Sequence, residues 1–540
     1  MSAAVEGTLG LGDRRARVQI GLTTDFPARL PIITVNPHGE FAELPHVEPD
    51  GAVCFRPRDE PLLNHDDPYG IVREALQLAA ETLYAGLYGN RAAEFANEIV
   101  AYWRAYYPKA ATVMGVLTPD DRARLVTAFF DCGVRCAVGD TPASFAAFRQ
   151  FRNVDKLTFV NAVYVPINPA ASDPQFHPRH LATAHGLNVH VTPVLRQDQD
   201  LWRSIEQHCR AREVLVVLGV QRPSGRRGLV GLIVRRREGA HPFDAQAIDD
   251  SRIAPCYVDP VDRAYLLPRG GANTDLGRCR VLVVGCGAVG GYVAMNLARA
   301  GLGTIDLMDP DSFEAANTFR HACGRAYVDY RKVVGLKLEI ERLLPFVKVR
   351  THQTDVLAWM REQPEGFRAY DLIVLAIGNP TVELRVNAVI AADPKAPPAI
   401  FTWLEPLGLG GHALVTHIGA SSAGCFQCLY ERGEDGTLVC RAAYAHPGGR
   451  YTRDMMGCGS QHMSFGDLDA QRAAMVVARR ALDVLQGNLS ESELVSWKGN
   501  ADAFRAAGFK TTECYERSPP EERLPGLMLV RTGCPLCKPA

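Results

Sequence analysis

Residues 278–344 constrain the chain most. An apolar run, Val281–Val284, is followed at once by Gly285-Cys286-Gly287-Ala288-Val289-Gly290; a helical pattern then runs to Gly301, and a second apolar run ends on Asp309. The spacing predicts strand, glycine turn, helix, strand and acid. In that order Gly285, Gly287 and Gly290 let the backbone approach a phosphate, while the helix N-terminus supplies N–H groups and the positive end of its dipole. A carboxylate about 20 residues on, here Asp309, reaches the ribose hydroxyls. The pattern demands an α/β fold with a nucleotide at the carboxyl edge of its strands. It does not choose among nucleotides.

A chain of 540 residues exceeds one ordinary core, so two to four domains are expected. The formal net charge of -1 excludes a global basic field for nucleic acid or anionic membrane. The opening MSAAVEGTLGLGDRRAR lacks the apolar core of a signal peptide, and no apolar run approaches the roughly 18–20 residues of a membrane span. Fifteen cysteines in such a chain point to a reducing compartment, where thiols serve metal or catalysis. The expected location is the cytoplasm.

Three segments are expected. Residues 1–110 begin as a β-meander: DRRARVQIGLT and LPIITVNP are strand-like, and the turn Pro49-Asp50-Gly51 delivers Cys54. From Pro68 to Tyr107 the pattern turns helical, with Val72, Leu76, Ala79, Leu83 and Leu87 at three- and four-residue spacing. Residues 111–265 read as an α/β connector. There LTPDDRARLVTAFFDCGV is expected as a helix capped by Thr118, and REVLVVLGVQ and RRGLVGLIVRRRE as strands joined by Arg222-Pro223-Ser224-Gly225. Residues 266–540 return to strand–helix alternation, which implies a doubly wound, largely parallel sheet.

A dehydrogenase would satisfy the glycine motif equally well. The residues after Asp309 argue for another chemistry. Asp309-Pro310-Asp311 leads into Phe313-Glu314-Ala315-Ala316-Asn317-Thr318-Phe319-Arg320, and Gly335-Leu336-Lys337 opens a later helical stretch. This block resembles the ubiquitin-activating, ThiF and MoeB adenylyltransferases. The resemblance implies Asp309 on the ribose, and Asn317, Arg320 and Lys337 on the phosphates of ATP, with Mg2+. Adenylation of a carboxylate gathers negative charge that Arg, Lys and a metal ion stabilise, whereas hydride transfer needs none of them. Where that family carries a metal-binding aspartate, this sequence reads Ala376-Ile377-Gly378-Asn379, so Asp311 or water takes more of the metal.

The pairs Cys425-x-x-Cys428 and Cys534-x-x-Cys537 each form a Gly-Cys-x-x-Cys knuckle. Four thiolates in two such pairs suit a closed, structural tetrahedral Zn2+ site. Cys458 differs: it lies in DMMGCGSQHMSFGD, a glycine-flanked segment just before a helix. A thiolate near a helix start is activated and exposed enough to attack an adenylate. Cys440 and Cys514 compete for that role.

The first 110 residues resemble the ubiquitin-conjugating fold, with Phe26-Pro27, His46, Gly51 and Cys54 in the places of that family's strand break, active-site tripeptide and catalytic cysteine. Val47 and Glu48 come directly after His46, so the family's oxyanion-stabilising asparagine is missing. A conjugating-like domain, a connector and an activating domain in one chain resemble the bacterial conjugating–activating fusions found beside CD-NTases in CBASS anti-phage operons. TWLEPLGLGGHA, GCFQCL and GCGSQHMSFGD carry the likeness. The resemblance implies adenylation of a partner's C-terminal carboxylate, a thioester on Cys458, transfer to Cys54 and conjugation to an amine acceptor. The implied partner is a CD-NTase or a ubiquitin-like protein, and the implied assembly a homodimer through the adenylation domain. No membrane or direct nucleic-acid partner is expected. The alternatives are a MoeB- or ThiF-like sulfur-carrier adenylyltransferase, a nicotinamide-dependent oxidoreductase and a non-catalytic nucleotide-binding scaffold.

Overall fold

The computed structural model of the chain describes residues 3–56, 62–131, 135–147, 159–169, 173, 176–244, 246–417, 424–433, 436–454, 461–463 and 465–537. The chain divides into two compact units that meet in sequence at Asp262 and Arg263.

The first unit opens with an antiparallel meander, β1 (Ala3–Leu11), β2 (Arg14–Leu22) and β3 (Ile32–Thr34). In β2 the alternation is plain: Ala16 and Val18 are buried, Arg15 and Arg17 exposed. β1 was not legible, because VEGTLGLG holds three glycines and few strand formers; it is held by pairing along its whole length with β2. The helix Pro68–Tyr88 starts where Asp67 accepts the Gly70 N–H at 2.8 Å, with proline in the first turn. It lays Ala75, Ala79 and Leu83 against Ala16, Val18, Ile33 and Val35.

Seven strands of the same unit close a barrel: β4 (Ala111–Gly115), β5 (Arg124–Asp131), β6 (Arg135–Gly139), β7 (Phe159–Ile167), β8 (Glu213–Arg222), β9 (Gly225–Arg235) and β10 (Ile253–Pro260). Their order is β10-β4-β6-β5-β7-β8-β9, and β9 pairs back to β10. Leu215 and Val217 pack inside with Val113, Val126 and Val258, while Val214, Val216 and Leu218 pack outside against Phe95, Trp103 and Leu181. Burial on both faces explains why β8 reads as a continuous apolar run.

The helix expected after Thr118 is a strand instead. The Thr118 N–H donates to Asp140 at 3.0 Å, and Arg124 ties Asp120 and Asp140 at 2.6 Å each. From Arg124 on, the chain pairs with β6 and β7, so tertiary pairing overrides the local capping signal.

The second unit carries an eight-stranded sheet. Its strands are β11 (Arg280–Val284), β12 (Thr304–Met308), β13 (Lys348–His352), β14 (Leu372–Leu375), β15 (Ala399–Leu404) and β16 (Gly410–Thr416). Two hairpins come next, β17 (Tyr430–Arg432) with β18 (Leu438–Cys440) and β19 (Thr452–Asp454) with β20 (Gln461–Met463), and then β21 (Glu493–Lys498) and β22 (Glu521–Pro525). The sheet order is β13-β12-β11-β14-β15-β16-β21-β22. β13 through β15 run parallel and the rest antiparallel. Val281, Val283, Ile305 and Leu307 meet the helices Ala288–Arg299 and Lys332–Leu343 on one face; Leu282, Val284, Ile373 and Leu375 meet Trp359, Val386 and Ile390 on the other. This is the doubly wound α/β architecture the alternation implied. Strand order reverses between β11 and β14, which opens a crevice at their carboxyl ends. Among the described residues no helix is long and apolar enough to cross a membrane.

Candidate active site

The glycine loop fills that crevice. Gly285 has φ +85°, and a Cβ there would lie 2.5 Å from the Ala376 carbonyl oxygen; at Gly290 a Cβ would lie 1.8 Å from the Gly285 carbonyl oxygen. Side chains are excluded at both positions. A Cβ at Gly287 would meet nothing within 4 Å, so the loop is open where a ligand would approach. The helix Ala288–Arg299 begins here with no side chain capping its first N–H groups. A backbone cradle over an uncapped helix start fits the phosphates of a nucleotide.

Asp309, at the end of β12, is buried and fixes this loop. Its carboxylate accepts the Cys286 N–H at 2.7 Å and the Asp311 N–H at 2.8 Å. Burial raises its pKa, and the Lys332 ammonium, 4.0 Å away, opposes that shift. Lys332 also pairs with Asp311 at 2.7 Å. On the other side His321 braces the loop: its Nε2 lies 2.7 Å from the Cys286 carbonyl oxygen, and its Nδ1 accepts the Cys323 N–H at 3.0 Å. Burial lowers the His321 pKa, so the ring is neutral, and those two bonds select the tautomer with the proton on Nε2.

The remaining phosphate candidates divide. Asn317 lies in the 3-10 turn Ala315–Arg320 and closes it, its side-chain oxygen accepting the Glu314 N–H at 3.0 Å. Arg320 ends the same turn, its guanidinium 5.5 Å from the centre of the Phe465 ring. Lys337 does not join the acidic pair. Its helix starts at Lys332, so Lys337 points about 140° away around the axis and lies 3.8 Å from Glu341. The helix start therefore presents Lys332, and not Lys337, to Asp309 and Asp311.

Gly378, the position of the missing aspartate, has φ +71°, which a side chain would strain. The carboxylate at this strand end comes from Glu383, which is buried and accepts the Gly378 N–H at 3.2 Å. It lines a cavity of about 600 Å3 together with Gly287, Thr402, Trp403, Glu405 and Tyr430. Burial pushes its pKa from 4.5 up to about 7. The native protein thus keeps a proton that the unfolded chain releases between those values. Stability falls as pH rises through that window, by up to roughly 3 kcal/mol, and is level above it. Glu383→Gln is expected to shrink the difference in Tm between about pH 5 and about pH 8 by roughly 5 °C or more, read by thermal denaturation. An unchanged difference would contradict this assignment.

The thiols separate by environment. Cys425, Cys428, Cys534 and Cys537 bring their sulfurs within 4.8 Å of one another. Cys425 to Cys534 is 3.9 Å, and Cys428 to Cys537 is 3.5 Å. A tetrahedral ion with Zn–S bonds of about 2.3 Å requires sulfurs roughly 3.8 Å apart, so four thiol donors at this spacing fit Zn2+. The hydrogen bonds the sulfurs share lower the pKa of the Cys537 thiol and raise that of Cys425, so without a cation a thiolate on one is held by the protonated thiols of the others. Cys440 lines the 600 Å3 cavity, but burial pushes its pKa to about 12, and burial also raises Cys514. Neither environment favours a nucleophile. Cys458 lies outside the described residues.

In the first unit, Gly51 makes the turn that presents Cys54. It has φ +85°, and a Cβ there would lie 2.1 Å from the Val35 carbonyl oxygen. The Cys54 N–H donates to the His46 carbonyl at 2.7 Å, and Cys54 is exposed. A cavity of about 210 Å3 adjoins it, lined by Thr23, Ile32, Ile33 and Phe55 among others. The Phe26–Pro27 peptide is cis.

Residues 263–525 match the ThiF family, and residues 6–112 match the prokaryotic E2 family B. The chain joins an E2-like domain to a ThiF-type domain. This fusion is 24% identical over 531 residues to the ATP-dependent ubiquitin transferase-like protein Cap2 of Pseudomonas aeruginosa, a match covering 92% of this chain and 87% of that protein. It is 26% identical over 188 residues to the adenylyltransferase and sulfurtransferase MOCS3 of Dictyostelium discoideum, covering 34% of this chain and 42% of that one. Among solved structures, E. coli MccB with ATP aligns at a TM-score of 0.34 and 17% identity, over 48% of this chain and 67% of MccB. The fusion is an enzyme of the ATP-dependent adenylyltransferase/ligase class.

Proposed function

We propose that the fusion activates the C-terminal carboxylate of a partner protein and conjugates it to an amine. The carboxylate attacks the α-phosphate of ATP and releases pyrophosphate. The Cys458 thiolate displaces AMP to give a thioester, the acyl group passes to Cys54, and an amine takes it as an amide. The observation that carries this reading is one chain holding both a phosphate cradle braced by Asp309, Lys332 and His321 and an exposed Cys54 in an E2-like fold. Asp309 holds the ribose end of the nucleotide. Lys332 and Arg320 meet the charge that develops on the phosphates, with Asn317 in the same turn. Mg2+ bound with ATP adds positive charge there, and Asp311 and Glu383 are the carboxylates that would hold it. Zn2+ in the four-cysteine cluster ties the Cys534–Cys537 knuckle to Cys425 and Cys428.

The partner is a CD-NTase or a ubiquitin-like protein, in anti-phage defence in the cytoplasm, and the adenylating domains pair as a homodimer. The full-length similarity to Cap2 supports this over a sulfur-carrier adenylyltransferase, which would leave residues 6–112 without a role. The test is ATP–pyrophosphate exchange that depends on the partner. Arg320→Ala is expected to abolish exchange, while Cys458→Ala and Cys54→Ala retain it. Loss of exchange in folded Cys458→Ala would contradict the order of steps.

A further inference from the structure

The E2-like domain lacks the asparagine expected beside His46, and the surroundings of His46 point to what replaces it. His46 has φ +63°, a backbone state that is costly for a residue with a side chain and that glycine would adopt freely. Strain of this kind persists where neighbours over-determine it, and it clusters at functional sites. Here the His46 N–H donates to the Tyr102 hydroxyl, and its carbonyl accepts the Cys54 N–H at 2.7 Å. Val47 bridges Val53, so His46 and Cys54 sit opposite one another across a short antiparallel pair. The ring lies between two carboxylates: Nε2 is 3.3 Å from Glu94, and Nδ1 is 3.5 Å from Glu98. Tyr102, bonded to His46, lies within electrostatic reach of both the Glu98 carboxylate and the Cys54 thiol. Both glutamates are about half exposed and the imidazole is partly so, leaving the group accessible from solvent.

We infer that His46 is the catalytic base for aminolysis of the Cys54 thioester, that Glu98 is the positioning residue holding its Nδ1–H, and that Glu94 receives a cationic primary amine. This rests on Cys54 being the last acyl carrier. The chemistry balances without another reactant. The acceptor arrives as an ammonium paired with Glu94 and next to Nε2. The ammonium gives up one proton to solvent, the resulting amine attacks the thioester carbonyl while His46 takes a second proton from its nitrogen, the C–N bond forms and the C–S bond breaks. The electron pair leaves on the Cys54 sulfur, and the imidazolium returns its proton to that thiolate. The products are an amide and the regenerated Cys54 thiol. A base oriented by a carboxylate next to a sulfur is the general arrangement of thiol acyl-transfer sites, here run in the deacylation direction. The acceptor class that fits is a lysine-like amine rather than an alcohol or water, because two carboxylates flank the base.

The test uses the full chain and a probe that bypasses adenylation. A short glycine-terminated peptide, supplied as its 2-mercaptoethanesulfonate thioester, loads Cys54 by thiol exchange, and peptide mapping by mass spectrometry reads occupancy at Cys54. L-lysine is then added and the loss of the thioester is followed. His46→Gly suits the left-handed backbone, and its loading serves as the fold check. Given a longer incubation it is expected to reach full occupancy at Cys54 but to discharge to lysine roughly 10²–10⁴-fold more slowly, with added imidazole restoring the rate. Glu94→Gln is expected to raise the KM for lysine without slowing discharge to neutral hydroxylamine; Glu98→Gln is expected to lower the limiting rate. Wild-type discharge by His46→Gly, or a slow rate that imidazole fails to raise, would overturn the inference and leave Cys54 as acyl carrier untouched. Should His46→Gly fail to load, a wild-type limiting rate in Glu98→Gln would overturn it instead. A wild-type thioester that lysine never discharges would overturn both the inference and the conjugating role of Cys54.

Discussion

Asp309→Ala is expected to abolish ATP–pyrophosphate exchange while the fold survives. Asp309 is the single acceptor that two backbone donors of the nucleotide site share, Cys286 in the glycine loop and Asp311 beyond β12. Without it, the buried Cys286 N–H loses its partner, at about 1–3 kcal/mol, and the part-buried Asp311 N–H loses its own at a smaller cost. Lys332 also loses one of its two carboxylates. About 3 kcal/mol of lost loop order corresponds to roughly a hundredfold in rate, before any loss of the ribose contact. Asp309→Asn keeps one acceptor oxygen and is expected to fall between. The measurement is exchange under saturating partner, with circular dichroism as the fold control. Wild-type exchange in Asp309→Ala would remove this carboxylate from the site.

Cys428→Ser is expected to release the metal and lower Tm by roughly 10 °C. The cluster joins two stretches more than a hundred residues apart, and its sulfurs are already packed at metal-binding spacing. A four-thiolate site contributes folding free energy directly, because the unfolded chain has no such site. The surrounding domain has its own core, so the expected cost is about 3–5 kcal/mol, well below the value for a zinc finger that folds only with metal. At roughly 2–4 °C per kcal/mol this cost gives the expected shift in Tm. Elemental analysis should find one Zn2+ per wild-type chain and none in the variant. An unchanged metal content and Tm would show that the four sulfurs lie together without an ion.

The glycine loop, Asp309 and the two cysteine knuckles were legible because each is written in local spacing. A turn that needs glycine, an acid at a strand end and a C-x-x-C knuckle all keep their meaning without tertiary information. Lys332 was not legible for the opposite reason. Lys332 and Lys337 lie on one helix, and only the residue at which that helix starts decides which of them faces Asp309 and Asp311. His321 and Glu383 take their roles from burial against Cys286 and Gly378, partners far away in sequence or set by a strand end. A histidine directly after Arg320 and a glutamate one helical turn after Asn379 were the available signals. The barrel was legible in β8 and β9, where both faces are apolar. It was misread in β5, where Thr118, Asp120 and Asp121 imitate a helix cap but serve Asp140, Arg124 and Arg227.

The most direct measurement is the mass of the full chain after incubation with ATP, Mg2+ and a CD-NTase ending in glycine. The account predicts an ATP-dependent adduct equal to the partner less one water, cleaved by excess thiol. It predicts that amine conjugates then form in wild type, and that Cys54→Ala accumulates the thioester without conjugates. Conjugates formed at the wild-type rate by Cys54→Ala would contradict the relay from the nucleotide site to the E2-like thiol.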